Sequence, residues 1–260
     1  MIRIEAIPEI FRNSEIIEYP IHNKSEGIEQ KFSAYIDSNN TPRSKLKYLP
    51  IQWTNYLIKN NYGKNIEDLQ LYCDDLIKNN PNERYFTVVQ YDGGPIVNLN
   101  NCVVFSSGGM FGTKNNENLS FIPIPLLTDP HKRIRPKKKK YKIGYIGRNT
   151  HPIRGNLEDL LSINNENLII NIPSDGVSKK DSKKFKDVLS KSIFSLCPRG
   201  FGPASFRLYE SLEFGSIPIY VSDDFHLPYR DIIDWEKLCL LIKLDEINTI
   251  EKKVNDLINS

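Results

Sequence analysis

The feature that most limits what this chain can fold into is a regular alternation of short apolar strands and amphipathic helices that starts at Tyr141. Strands are expected at Tyr141 to Gly147, Leu168 to Ile172, Ile193 to Cys197, Ile217 to Val221 and Leu238 to Leu244. Helices are expected at Lys180 to Ser190, with Phe185, Val188 and Leu189 turned inward, at Ser205 to Phe214 and at Ile247 to Ile258. Each strand is a nearly continuous apolar run, as a strand covered on both faces must be. Alternating strands and helices build a parallel sheet with helices on its faces, so the fold class is α/β. Such a sheet binds ligands at the carboxyl ends of its strands.

The first half is less regular. Leu46 to Trp53 reads as a buried strand ending at Pro50. Asn65 to Asn79 carries apolar residues at 66, 69, 72, 73, 76 and 77, a helical spacing. Tyr85 to Gln90 is aromatic and β-branched, hence a buried parallel strand, and Tyr91-Asp92-Gly93-Gly94-Pro95 breaks it sharply. Cys102 to Phe105 is a further short strand ahead of Gly108-Gly109. Four segments follow: a first domain over 1–130, a basic linker over 131–142, a ligand-binding domain over 143–245 and a closing helical segment over 246–260. The linker run from His131 to Lys140 has the charge of a nucleic-acid or anionic-surface patch. No aromatic side chains interleave its charges, so a solvated connection is the expectation, with no nucleic-acid partner.

The net charge of +3 argues for neither nucleic acid nor membrane. Cys73, Cys102, Cys197 and Cys239 are scattered, with no Cys-x-x-Cys pair, and read as free thiols rather than zinc ligands. Residues 1–10 hold Arg3, Glu5 and Glu9 and lack the apolar stretch of a signal peptide. No stretch approaches the ~20 apolar residues of a membrane span. A soluble, cytoplasmic protein is the expectation.

Chemistry concentrates between Ser195 and Glu210. A strand ends at Cys197, a loop with Gly200, Gly202 and Pro203 follows, and a helix opens at Ser205, a good N-cap residue. A glycine loop feeding a helix N-terminus is an anion site, because unpaired N–H groups and the helix dipole face outward. Arg207 lies in the first turn, where the dipole disfavours a cation by about 0.3–1 kcal/mol. A bound phosphate reverses that sign, and the planar Arg fork grips phosphate oxygens in pairs. Glu210 is three residues on, about one turn along the same face, placed to accept both ribose hydroxyls of a nucleotide. An Arg–Glu pair on a wet helix surface is the plainer alternative.

The residues around this helix resemble those of exostosin-like glycosyltransferases, glycosyltransferase family 47. In order, the chain has Cys197-Pro198-Arg199-Gly200, Arg207, Glu210, Gly215-Ser216-Ile217-Pro218, Ser222-Asp223, Leu227-Pro228-Tyr229 and Asp234-Trp235. Weaker similarities lie in Gly144 to Gly147 with Arg154, in Thr41-Pro42 through Leu49-Pro50, and in Tyr85 to Gly93, where Tyr91 stands for the usual His. The resemblance implies a GT-B fold: two Rossmann-like domains with a cleft between them, the donor held by the C-terminal one and the acceptor by the N-terminal one. It implies an inverting hexosyl- or pentosyltransferase whose donor is a nucleotide sugar, most often UDP-linked, and whose acceptor is an oligosaccharide or glycoconjugate.

For such a reaction Arg154, Arg199, Gly200, Ser205 and Arg207 are expected around the donor's diphosphate, Glu210 at its ribose, and Asp223 and Asp224 at sugar hydroxyls, with His226 nearby. Asp92, on the loop that ends a buried strand, is the candidate base; its plainer role is to form a tight Asp-Gly turn. No Asp-x-Asp triplet occurs, so no metal and no cofactor beyond the donor substrate is expected. The alternative is a module that binds nucleotide sugar or glycan without turning it over.

Overall fold

The computed structural model describes residues 2–12, 26–38, 43–110, 120–128, 137–172 and 179–260. Thr41-Pro42 and residues 131–136 of the basic run lie outside them. The chain divides into two compact units, one of residues 1–127 with 226–229 and the other of 128–225 with 230–260. Each contains one parallel five-stranded sheet.

In the first unit the strands lie in chain order: β1 (Arg3–Ile4), β2 (Lys47–Tyr48), β3 (Tyr85–Val89), β4 (Cys102–Ser106) and β5 (Ser120–Pro123). Helices α1 (Ile28–Asp37), α2 (Trp53–Lys59) and α3 (Glu67–Asn79) connect the first three. Every residue of β3 is buried, as its composition requires. The strand expected over Leu46 to Trp53 is much shorter. Its ladder ends with the Leu49 N–H bonded to the Phe86 carbonyl, because Pro50 has no N–H to continue it. Trp53 starts α2 instead, and its buried indole donates to Thr87 Oγ1 at 2.7 Å. Leu49, Trp53, Leu69, Val89, Leu99 and Val104 form the heart of this core.

The second unit holds β6 (Tyr141–Arg148), α4 (Pro152–Leu161), β7 (Leu168–Ile172), α5 (Lys179–Lys191), β8 (Ser192–Pro198), α6 (Phe206–Glu213), β9 (Ile217–Val221), β10 (Leu240–Ile242) and α7 (Ile250–Asn259). The spatial order is β10-β9-β8-β6-β7. Ile143, Leu157, Phe194, Leu196, Ile219, Ile242 and Val254 fill the space between sheet and helices. β6 begins two residues inside the stretch read as linker, and α7 follows a 3-10 turn over Leu244–Thr249. Helix α4 is signalled only by its start: Pro152 opens it, and the His151 ring nitrogen Nδ1 accepts from the Ile153 N–H at 3.3 Å.

The order of the second sheet matters for function. From β6 the chain moves outward to β7 on one side, then returns through α5 to β8 on the other side. Adjacent connections that leave in opposite directions open a crevice at the strand ends, here beyond Arg148 of β6 and Pro198 of β8.

Candidate functional site

Three arginines from different elements collect at this reversal. Arg154, one turn into α4, donates from Nη1 to the Arg148 carbonyl at 2.7 Å, from Nε to the Arg199 carbonyl at 2.9 Å and from Nη2 to the Pro198 carbonyl at 3.2 Å. Three of the five N–H donors of its guanidinium thus hold the ends of β6 and β8 together. Burial is the main cause that lowers its pKa, to about 10, so it remains a cation at neutral pH. Arg154 therefore acts on the loop backbone, and its cost of burial is offset by these carbonyls.

Arg199, at the end of β8, is itself buried. Its Nη2 donates to the Phe201 carbonyl at 3.0 Å and its Nη1 pairs with Asp223 Oδ1. The Gly200 N–H closes on the Gly202 carbonyl at 3.2 Å. A cation inside the loop thus pins residues 200–202 while Phe201, between the two glycines, stays 72% exposed. Asp223 and Asp224 follow β9 in a turn held by the Ser222 hydroxyl, which donates to the Asp224 carbonyl at 2.8 Å. Arg199 and Asp223, expected as separate ligand contacts, are partners of each other here.

Helix α6 starts after Ser205, whose backbone is extended and whose hydroxyl makes no cap bond in the described structure. The Ser205 carbonyl accepts from the Leu208 N–H at 3.1 Å, so the residue begins the helix through its backbone. Arg207, at the second helical position, does not lie on a wet surface: it is 9% exposed. Its Nη2 donates to the Ile146 carbonyl at 2.8 Å, and its Cζ sits 4.6 Å from the Tyr145 ring centroid and 5.6 Å from that of Phe185. The two rings stabilise a desolvated guanidinium through their negative faces. Its Nε is buried without a hydrogen-bond partner. A buried donor left unpaired costs about 1–3 kcal/mol. Such an orphan donor is met by water, an ion or a bound acceptor. Glu210 is half-buried one turn further along α6.

Gly147 explains how the guanidinium fits. A Cβ at this position would lie 2.6 Å from Tyr145 Oη and 2.7 Å from Arg207 Nη2, so no larger residue coexists with that arrangement. Tyr145 and Phe185 were not legible as parts of the site from sequence. The cue was present, since a glycine two residues after a strand aromatic marks a close approach.

Asp92 lies in the first unit, half-buried, two residues beyond Gln90 at the carboxyl end of β3. The Gly94 N–H bonds to the Tyr91 carbonyl at 3.0 Å, so Asp92 does sit within a tight turn. Gly108, after β4, packs against this turn so closely that a Cβ would lie 2.2 Å from the Gln90 carbonyl oxygen. Beneath it is a carboxylate that the sequence did not reveal. Glu29 of α1 is fully buried and accepts from the Gln90 N–H at 2.7 Å, from Thr54 Oγ1 at 2.7 Å and from the Thr54 N–H at 3.0 Å. Burial drives its pKa up to about 7, against the opposing pull of those donors. It caps the first turn of α2 and ties it to the end of β3. His226 belongs to the first unit as well: its Nε2–H donates to the Ser106 carbonyl at 2.8 Å and its ring stacks on Phe121.

Among the described residues, no three His, Cys, Asp or Glu side chains come together as a metal site, and no helix is long and apolar enough to cross a membrane.

Comparison with known proteins gives relatives and a family. A "Probable glucuronosyltransferase GUT1" of Oryza sativa subsp. japonica is 32% identical over 81 residues, 31% of this chain and 19% of that protein. A "Probable glucuronosyltransferase 47 A" of Physcomitrium patens is 34% identical over 76 residues, 29% of this chain and 17% of that protein. A "Probable beta-1,4-xylosyltransferase IRX10" of Arabidopsis thaliana is 35% identical over 83 residues, 31% of this chain and 20% of that protein. The matched stretch is thus about a fifth of the length of each relative. The exostosin GT47 domain matches residues 81–257, about two thirds of the chain, from β3 through the arginine cluster into α7. By that match the chain belongs to the exostosin GT47 family.

Proposed function

We propose that this chain is an inverting glycosyltransferase that moves a hexosyl or pentosyl group from a nucleotide sugar, UDP-linked, to a hydroxyl of an oligosaccharide or glycoconjugate. The observation that carries this reading is Arg207: a cation buried at the start of α6, with one donor unpaired, beside the strand reversal where α/β sheets bind nucleotides. The names of the relatives, glucuronosyl- and xylosyltransferases, support the reaction class.

In this mechanism Arg207 and the open end of α6 stabilise the diphosphate as it leaves with negative charge. Arg199 and Arg154 shape the Gly200 to Gly202 loop around it, and Arg199 exchanges Asp223 for a phosphate oxygen when donor binds. Glu210 accepts the ribose hydroxyls. Asp223 and Asp224 contact hydroxyls of the transferred sugar. Asp92 takes the proton of the acceptor hydroxyl as that oxygen attacks the anomeric carbon. The bond to the diphosphate breaks on the opposite face, the electron pair leaves with the nucleotide, and the anomeric configuration inverts. The charge of the diphosphate is met by the arginines and the helix end, so the reaction as proposed uses no metal. The chain works in the cytoplasm as a soluble protein.

Calorimetric titration of the full chain against UDP-, GDP- and CMP-sugars tests the donor assignment. Arg207→Ala and Glu210→Ala are each expected to weaken UDP binding about tenfold or more, the size of a lost charge-assisted hydrogen bond. Wild-type affinity in both variants would remove α6 from the donor site.

A further inference from the structure

Five left-handed residues of the first unit lie in two loops that touch each other. Asn61, Tyr62 and Gly63, just after α2, have φ of 54°, 56° and 81°. Gly94 and Ile96, in the loop after β3, have φ of 72° and 60°. A β-branched residue such as Ile96 almost never adopts this conformation, and an aromatic one rarely does. Strain of this kind persists only where surrounding structure imposes it, and it clusters at ligand sites.

The two loops impose it on each other. Tyr91 Oη donates to the Tyr62 carbonyl at 3.3 Å. Ile96 Cδ1 lies over Gly63, only 2.7 Å from where a Cβ would stand, and the Tyr91 ring covers Gly93. The far end of the second loop is fastened to α3, with the Asn98 N–H donating to Gln70 Oε1 at 2.8 Å. The first is closed by the Gly63 and Asn65 N–H groups on the Asn60 carbonyl at 3.2 and 3.3 Å. This scaffold does not serve to bury Tyr62, whose side is left 63% exposed. Tyr91 beside it is half-buried, and the next residue is Asp92.

We propose that Tyr62 and Tyr91 form a stacking subsite for one pyranose ring of an acceptor glycan, next to Asp92. A tyrosine suits such a ring because its face takes the sugar's apolar C–H side and its hydroxyl reaches the polar rim. Two rotatable bonds on a backbone already fixed leave little ordering cost on binding. The inference rests on the reading that this chain glycosylates a glycan, and it names the residues that hold that substrate.

The test is calorimetric titration of the full chain with xylohexaose and cellohexaose, and separately with UDP. Tyr62→Ala is expected to weaken oligosaccharide binding about tenfold, as loss of one stacked ring should. Tyr62→Gly is the sharper variant, because glycine adopts the left-handed conformation without strain. It should lower oligosaccharide affinity by the same factor with an unchanged or raised Tm, whereas Tyr62→Trp retains binding. UDP affinity should be equal in all of them. Wild-type oligosaccharide affinity in Tyr62→Gly, or no oligosaccharide binding by a wild-type chain that still binds UDP, overturns the subsite and leaves the donor reading intact. Oligosaccharide binding that depends on Tyr62 without UDP binding overturns the donor reading and keeps the subsite.

Discussion

The two units use the same architecture, five parallel strands with helices between them, and depart from regularity in different ways. The first sheet runs β1 to β5 in chain order, with no reversal among its described strands. The second reverses between β6 and β8, and there its arginines are buried against carbonyls and aromatic rings. The first unit instead stores its irregularity as left-handed backbone around Tyr62 and Ile96 and as the buried carboxylate of Glu29. On the proposed function, the second unit meets a dianionic diphosphate with fixed positive charge in a desolvated place, and the first orients a neutral sugar with rigid loops and an exposed apolar face.

The sharpest way to break that division of labour is Asp92→Asn. A general base contributes typically 10²–10⁴ in rate, so transfer should fall by that order while UDP affinity stays at the wild-type level. Retained turnover in a glycosyl-transfer assay would remove Asp92 from its role.

Glu29 gives the next largest effect, and it concerns the first unit alone. Its folded pKa of about 7 lies above the ordinary carboxylate value of 4.5, so the folded state binds the proton more tightly. Stability from this group is therefore complete below pH 4.5 and declines as pH rises to about 7, by on the order of 3 kcal/mol at most. Denaturant titrations between pH 4.5 and 8 should show this decline in the wild-type chain and a flatter profile in Glu29→Gln. An equal slope in both would show that Glu29 does not control it.

Gly147→Ala probes the second unit. The added methyl displaces Arg207 or Tyr145, an overpacking cost of about 1–3 kcal/mol. A lowered Tm together with weaker UDP binding is expected, and an unchanged affinity would show that Arg207 holds its position by other means. Asp223→Asn should have the smallest effect. Asp223 is half-exposed, so losing its charge on Arg199 costs about 1 kcal/mol or less, visible as a small drop in Tm.

Much of the second unit was legible in the sequence because its strands are continuous apolar runs and its loops carry glycine. Ser205 to Phe214 was expected as a helix, and α6 spans Phe206–Glu213. The direction in which Arg207 points was not legible, since sequence spacing places it on a helix face but does not reveal Tyr145 and Phe185 waiting there. The sequence expectations contain no counterpart to helices α1, α2 and α4. Helix α1 does carry Ile28, Phe32, Tyr35 and Ile36 at helical spacing, but in a short stretch diluted by polar residues, and α4 is marked by a proline and a histidine cap. The strand expected at β2 is too long because burial continues past Pro50 after the ladder stops: Leu49, Ile51 and Trp53 are all buried, yet only the first belongs to the strand's end. Left-handed backbone at Tyr62 and Ile96 follows from tertiary packing and has no local sequence signal.

The tetrapeptide His226 to Tyr229 lies far along the chain, yet it is part of the first unit. His226 occupies the Ser106 carbonyl and the Phe121 ring, and Leu227 is 1% exposed. A fragment cut after residue 127 would therefore lack an internal piece of its own core. Split-protein pairs divided at the basic run are incomplete on one side, whereas a circular permutation that keeps both stretches in one polypeptide is not. Any dissection of this protein has to keep residues 226–229 together with 1–127.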